Sequence, residues 1–328
     1  MNARTAPVIS VVILLDGQRR RGGLCLASVL AQSIAESLEV LLLDLGHDRF
    51  EPIEGADHPS VRVIPISPNT GYGATLAQGV DQARSPIVAF VEEHVQVFPG
   101  WAEGLIAAYD EPWAAVCGEV YPGDLERFVA RLIELVGRHD WSAPAKRGEA
   151  TVLRWQNVSY RRDVLLRYKD RLPLLLQSEG ALFQQLRADG EGLFIAPDAK
   201  FIHAHELSWI SFLKGSYYST RLATASLVQV SGKSRGRKLA AALVGPLRWP
   251  LVLLRRTRSI SEASLWERRF WMYAPFIVQY YSIVALSTVV GLFFGPGDCA
   301  RRFLDFEANA PRLVPDPSIV HSRPGQLS

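Results

Sequence analysis

Residues 8–15 read Val-Ile-Ser-Val-Val-Ile-Leu-Leu, an almost unbroken β-branched and aliphatic run. A strand with one wet face alternates polar and apolar residues, so a continuous apolar run belongs to a strand covered on both faces. The pattern recurs at 39–44 (Glu-Val-Leu-Leu-Leu-Asp), 61–66 (Val-Arg-Val-Ile-Pro-Ile) and 86–91 (Pro-Ile-Val-Ala-Phe-Val). Between the first two runs, 22–34 carries Leu24, Leu26, Val29 and Leu30 as the apolar members of a helix. Residues 71–83 read as a second, glycine-opened helix. Strand, helix and strand at this spacing predict an α/β fold with a mostly parallel sheet flanked by helices. Further along, the pattern predicts helices over 102–109 and 125–137, and strands over 114–121 and 151–160. A helix opens at Ser178-Glu179-Gly180, and short apolar pieces at 193–195 and 201–202 flank Pro197.

The fourth run stops at Glu92-Glu93-His94, and Pro99-Gly100-Trp101 closes a turn just beyond it. Open α/β sheets bind ligands outside the carboxyl ends of their strands. Oxygen and nitrogen donors at such an end can serve a divalent cation, although an acidic triplet can also be a solvated strand end. With 328 residues and 48% hydrophobic content, the chain can build a substantial core and a smaller second unit. A net charge of +3 gives no whole-molecule field for nucleic acid, and none is expected as a partner. The three cysteines, Cys25, Cys117 and Cys299, are widely spaced and suit a reducing compartment. The first residues lack the long apolar core of a secretion signal, so a cytosol-facing protein is expected.

Taken in order, these features resemble a family-2 glycosyltransferase of the GT-A fold. Ser10-Val-Val-Ile13, Leu26-Ala-Ser-Val-Leu-Ala-Gln32 and Glu39-Val-Leu-Leu-Leu-Asp44 resemble its first strand, first helix and second strand. Asn69-Thr-Gly71, with Gly79 and Ala83, resembles its glycine-rich turn and helix. Phe90-Val-Glu-Glu-His94 stands where the family has an Asp-x-Asp metal motif, and Phe98-Pro-Gly-Trp101 follows it. Asn157-Val-Ser-Tyr-Arg-Arg162 resembles the acceptor-side segment, Ser178-Glu179 the Glu-Asp pair, and His203 the late metal-binding histidine. The resemblance covers about residues 8–222. It departs at the end of the first strand, where Leu14-Leu15-Asp16-Gly17 replaces Pro-x-Tyr-Asn. Leu45 replaces a second aspartate, and Leu76 and Ala77 replace an arginine and an asparagine.

The resemblance implies transfer of a sugar from a nucleotide-sugar donor, assisted by Mn2+ or Mg2+ on the leaving diphosphate. Glu92, His94 and His203 or His205 are the candidate metal ligands. Two histidines at i and i+2 of an extended segment face opposite ways, so one of the last two binds, and His203 matches the family position. Asp44, Asp16, Gly71, Glu92, Arg161 and Arg162 are the candidate donor contacts. Asp44 could instead cap the following turn, and the arginines could form a solvated edge. Glu179 is the candidate base for an inverting attack by the acceptor hydroxyl, or else a carboxylate stabilising a helix start. A catalytically silent scaffold relative and a metal-dependent hydrolase share these residues as alternatives.

Near residue 230 the composition shifts. Ser231-Gly-Lys-Ser-Arg-Gly-Arg-Lys238 is basic, 239–254 is apolar but broken by Gly245-Pro246, Arg248 and Pro250, and 271–294 carries no charge over 24 residues. The expected division is a catalytic domain over 1–230 and a helical, membrane-associating region over 231–328. By length 271–294 could span a bilayer. The arginines of 255–270 favour helices lying at the anionic cytoplasmic face, with a lipid-linked acceptor or a glycan as co-substrate. Gly291 to Asp298, with Arg301, Arg302 and Glu307, resembles the ending of some membrane-associated members of the family.

Overall fold

The computed structural model describes residues 6–15, 19–46, 53–67, 69–123, 127–138, 145–153, 157–203, 207–231 and 270–309. Four parallel strands come first: β1 (Ile9–Leu15), β2 (Leu38–Asp44), β3 (Val61–Pro65) and β4 (Ile87–Glu92), ordered β3-β2-β1-β4 in the sheet. Helices α1 (Arg19–Leu30) and α2 (Tyr72–Gln82) make the crossovers on opposite faces. The side-chain period of two decides which residue meets which helix. Ile9, Val11, Ile13 and Leu15 of β1 pack with Leu26 and Val29 of α1. Val12, between them, packs with Leu41, Leu43 and Phe90 against Val80 of α2. Each of these side chains is 8% exposed or less. At about 1.5–3 kcal/mol per buried aliphatic, β1 alone anchors both layers.

The second half of the sheet is mixed. A short strand β5 (Val95–Val97) leads into α3 (Trp101–Ala108), and β6 (Ala115–Pro122) leads into α4 (Phe128–Arg138). β7 (Gly148–Ala150) and β8 (Val158–Arg161) precede α5 (Arg162–Leu166), α6 (Leu172–Leu175), α7 (Glu179–Ala188) and β9 (Leu193–His203). The order continues β4-β8-β6-β9-β5, with β7 also on β9. β8 is antiparallel to β4 and β6, β9 is parallel to β6, and β5 is antiparallel to β9. The mostly parallel sheet therefore becomes a parallel half joined to a mixed half, within the α/β class expected.

Two local expectations change. The strand expected over 151–160 begins only at Val158. The two pieces flanking Pro197 are one strand, irregular where Cys117–Glu119 of β6 face Ile195–Lys200. Proline lacks the N–H for a regular ladder, and Gly118 lets the Ala199 carbonyl come close.

After β9, α8 (Trp209–Ser231) runs beside α9 (Phe270–Phe294), and α10 (Cys299–Asn309) follows. Trp209, the first residue of α8, donates to the Gln279 side chain in the first half of α9, and Arg221, further along α8, donates to the Gly295 carbonyl just past the end of α9, so α8 and α9 are parallel. Tyr273 and Ile277 of α9 pack with Leu132 and Val136 of α4. α10 returns to the sheet domain: Leu304 is buried in the α2-side core, and Phe303 meets Tyr72 edge to face at 5.2 Å. The apolar segment 239–254 and the basic stretch 255–269 lie outside the described residues.

Candidate active site at the carboxyl edge of the sheet

Parallel strands end together, so β1, β2 and β4 deliver their last residues to one edge. Leu14 pairs with Glu92, and Leu15 with Asp44. Two strand spacings of ~4.8 Å put the Asp44 and Glu92 backbones about 10 Å apart along that edge. The antiparallel β5–β9 pairing sets Val95 opposite His203, which brings the imidazole of His94 to that of His203. His94 Nε2 and His203 Nε2 are 2.9 Å apart, with rings edge to face at 87°. Glu92 Oε2 lies 2.9 Å from His203 Nε2 and 3.6 Å from His94 Nε2.

These three atoms could hold a metal ion. Donors about 2.0–2.2 Å from one ion lie about 3–3.5 Å from each other, and the observed separations of 2.9–3.6 Å match. The histidine side chains are 6% and 3% exposed and the Glu92 side chain 16%, so the cluster is walled by protein and opens on the carboxylate side. That side is a cleft of about 910 Å3, open to solvent. Leu14, Tyr72, Leu76, Phe90, Gln177, Ser178, Ala223 and Phe303 are among the residues that line it.

Residues 23–168 match the family described as Glycosyl transferase family 2. That segment is similar to a family-2 glycosyltransferase domain. The chain's fold is that of a mannosyltransferase from Pyrobaculum calidifontis solved in complex with GDP-Man and Mn2+. The two share 12% identity at a TM-score of 0.55, covering 88% of each chain. No curated protein sequence matches the chain. The fold is thus of the GT-A type, and the matched segment supports a glycosyltransferase. The family match ends before β9, so the His203 donor comes from beyond it.

Within this fold the expected site residues separate into two groups. Glu92, His94 and His203 converge. Asp44 reaches the same edge, but its carboxylate already has two partners: Oδ2 accepts from Arg19 at 3.1 Å, and Oδ1 accepts from the Gly46 N–H at 2.8 Å. The turn-capping role and a place at the carboxyl edge therefore coexist. Gly71 is the N-cap of α2, and a Cβ there would touch Ala300 of α10. Glu179 is the first residue of α7, whose N-cap Ser178 lines the cleft. The Glu179 side chain lies outside the described residues, as do Asp16 and His205.

Arg161 and Arg162 are not brought to the donor edge, which corrects the expectation that they contact it. The register sets Arg161 beside Ile87, at the start of β4, about 16 Å of strand from Glu92. Arg161 donates to the carbonyls of Tyr109, Glu111 and Trp113 at 2.8–3.0 Å and lies over the Tyr109 ring. Arg162 donates to the carbonyls of Val80 and Asp81. Both guanidinium groups satisfy carbonyls at helix C-terminal ends, where a cation is favoured.

Asn157 has a larger role than the sequence reading gave it. It is the one non-glycine residue with positive φ among the described residues, at 62°. Its Oδ1 accepts from the Glu92 N–H at 2.9 Å, and its Nδ2 donates to Glu92 Oε2 at 3.3 Å. Asparagine tolerates the left-handed region better than most residues, and strain kept at a ligand residue is a mark of a functional site. An asparagine just ahead of a strand is the only sequence signal for this. Leu76, one of the departures from the family pattern, supplies apolar wall to the cleft, and Ala77 is buried beneath it.

Proposed function

We propose that the protein transfers a sugar with inversion from a nucleotide-sugar donor to a hydroxyl or phosphate of a lipid-linked or polysaccharide acceptor, at the cytoplasmic face of a membrane. The observation that carries the reading is the convergence of Glu92, His94 and His203 at the carboxyl edge of a family-2 domain. A divalent cation held there would neutralise charge building on the leaving diphosphate. Two imidazoles beside one carboxylate suit Mn2+ better than Mg2+, which prefers an all-oxygen shell. Asp44, about 10 Å along the edge, and the α2 N-terminus at Gly71 would hold the nucleoside side of the donor.

The acceptor oxygen forms its bond to the anomeric carbon from the face opposite the diphosphate, and the sugar–phosphate bond breaks as it does so. A hydroxyl acceptor loses its proton to Glu179 at the head of α7. The Ser178 hydroxyl beside it is buried and makes no hydrogen bond among the described residues, so it is free to bind the substrate.

Membrane attachment is assigned to α9. The most apolar 18-residue window of Met272–Phe294 has a mean hydropathy of 1.8, and only 22% of that window is buried by protein. Met272, Leu286 and Phe293, exposed and spaced by multiples of seven, share one face. The apolar cleft walls and the α8 helix shared by cleft and α9 favour the lipid-linked acceptor.

The test is binding of nucleoside diphosphates with and without Mn2+, followed by a nucleotide-sugar panel assayed with membranes. Metal-dependent binding and donor turnover are expected, with Glu179→Gln abolishing transfer but sparing nucleotide binding. Absence of any metal-dependent nucleotide binding would sink the reading.

A further inference from the structure

Glu93, the middle residue of the acidic triplet, is not one of the three converging donors. Its side chain, 5% exposed, turns inward to the first turn of α1, where Arg21 Nη2 donates to Oε1 at 2.5 Å. Arg21 is itself 1% exposed. The same Oε1 lies 3.4 Å from His94 Nδ1, while His94 Nε2 faces His203 and Glu92. The His94 ring therefore stands between a carboxylate on one nitrogen and the metal corner on the other.

A carboxylate can only accept, so it favours the His94 tautomer with its proton on Nδ1 and its Nε2 lone pair aimed at the cluster. The short His94–His203 contact is consistent with this arrangement, with His203 Nε2 as its donor. We infer that Glu93, clamped by Arg21, is a positioning residue that sets the His94 ring as a metal ligand; this rests on the triad being the metal site. A carboxylate ligand offers two equivalent oxygens over a wide range of angles. An imidazole offers one lone pair in its ring plane, so a histidine ligand needs a partner to fix the ring. A histidine as the third residue of the triplet thereby gives its middle glutamate a task. Arg21 compensates the buried charge of Glu93, so a variant that removes one charge alone would unbalance the pair.

The test uses the full chain with both charges removed together. Arg21→Met with Glu93→Leu deletes the contact to His94, and Arg21→Met with Glu93→Gln keeps an acceptor for Nδ1–H. Mn2+ affinity, read by electron paramagnetic resonance of the free ion, is expected to fall about 10–100-fold in the leucine pair and to return to within about threefold of wild type in the glutamine pair. Equal affinity in the leucine pair, or no recovery in the glutamine pair, overturns the assignment while leaving the metal site intact. A wild-type chain that binds no Mn2+ overturns the metal site and this role with it. Independently of the variants, 15N spectra of the metal-free wild-type protein should show His94, identified by its loss in His94→Gln, with its proton on Nδ1. A proton on Nε2 refutes the inference.

Discussion

Asn157 joins a backbone cost to a side-chain benefit, and two substitutions separate them. Its φ of 62° puts it in a region where a β-carbon is crowded. Glycine relieves that crowding, whereas alanine keeps it, at about 1–2 kcal/mol. Both remove the 2.9 Å bond to the Glu92 N–H and the 3.3 Å bond to its carboxylate. A buried N–H left without its acceptor costs about 1–3 kcal/mol. Asn157→Ala is therefore expected to keep the backbone cost and lose the bonds, whereas Asn157→Gly loses the bonds but sheds the cost, so the alanine variant should be the less stable by about 1–2 kcal/mol in urea titrations. Mn2+ affinity should instead fall together in both, by about tenfold or more, because each removes the same two Asn157 bonds to Glu92. Equal stability of the two variants would refute the backbone cost. Wild-type Mn2+ affinity in Asn157→Gly would refute the orienting role.

At the opposite end of the sheet, burial alone would push the Glu39 carboxyl up, but Ser10, the Arg84 N–H and Arg62 together hold it below its ordinary 4.5. A depressed folded value means stabilisation that is complete above 4.5 and lost as pH falls through the folded value. Urea midpoints should thus drop on acidification below that point, and Glu39→Gln, less stable at neutral pH, should show a shallower drop; an unchanged slope would refute the assignment. In Gly73→Ala the new methyl group would overlap the Pro173 carbonyl, forcing α2 from α6 at the cleft wall. A loss of about 1–3 kcal/mol with weakened donor binding is expected, and wild-type melting would contradict the packing. Arg161→Gln and Arg162→Gln should lower the melting temperature yet leave the KM for the donor unchanged, and a raised KM would return those arginines to the donor site.

What was legible in the sequence followed from burial along a single segment. The runs at 8–15, 39–44 and 86–91 declare strands covered on both faces, because nearly every step is apolar, whereas 61–66 forms the sheet-edge strand β3, on which Val63 is 44% exposed. Their common ending at Asp44 and Glu92 follows from parallel pairing alone. The mixed half offers no such local sign. Whether β8 runs with β4 or against it decides which end of the sheet Arg161 occupies, and its carbonyl partners lie about 50 residues away, on a helix end that no spacing rule connects to it.

Strand direction also explains why the metal corner could be proposed from the order of motifs but not built from the residues. Glu92 and His94 are neighbours in the chain, whereas His203 arrives only because β9 runs parallel to β6 and antiparallel to β5, which sets it opposite Val95. Pro197 split β9 into two short pieces in the sequence reading. In the structure the irregularity at Cys117–Glu119, opened by Gly118, carries the strand past that proline as one element ending at His203. The third donor thus depends on a glycine 85 residues before it in the chain. Gly118→Ala would drive a methyl group into the Ala199 carbonyl. By this argument it should weaken Mn2+ binding through displacement of His203 even though Gly118 touches no ligand, and wild-type Mn2+ affinity in a folded Gly118→Ala variant would break the link between the strand irregularity and the site.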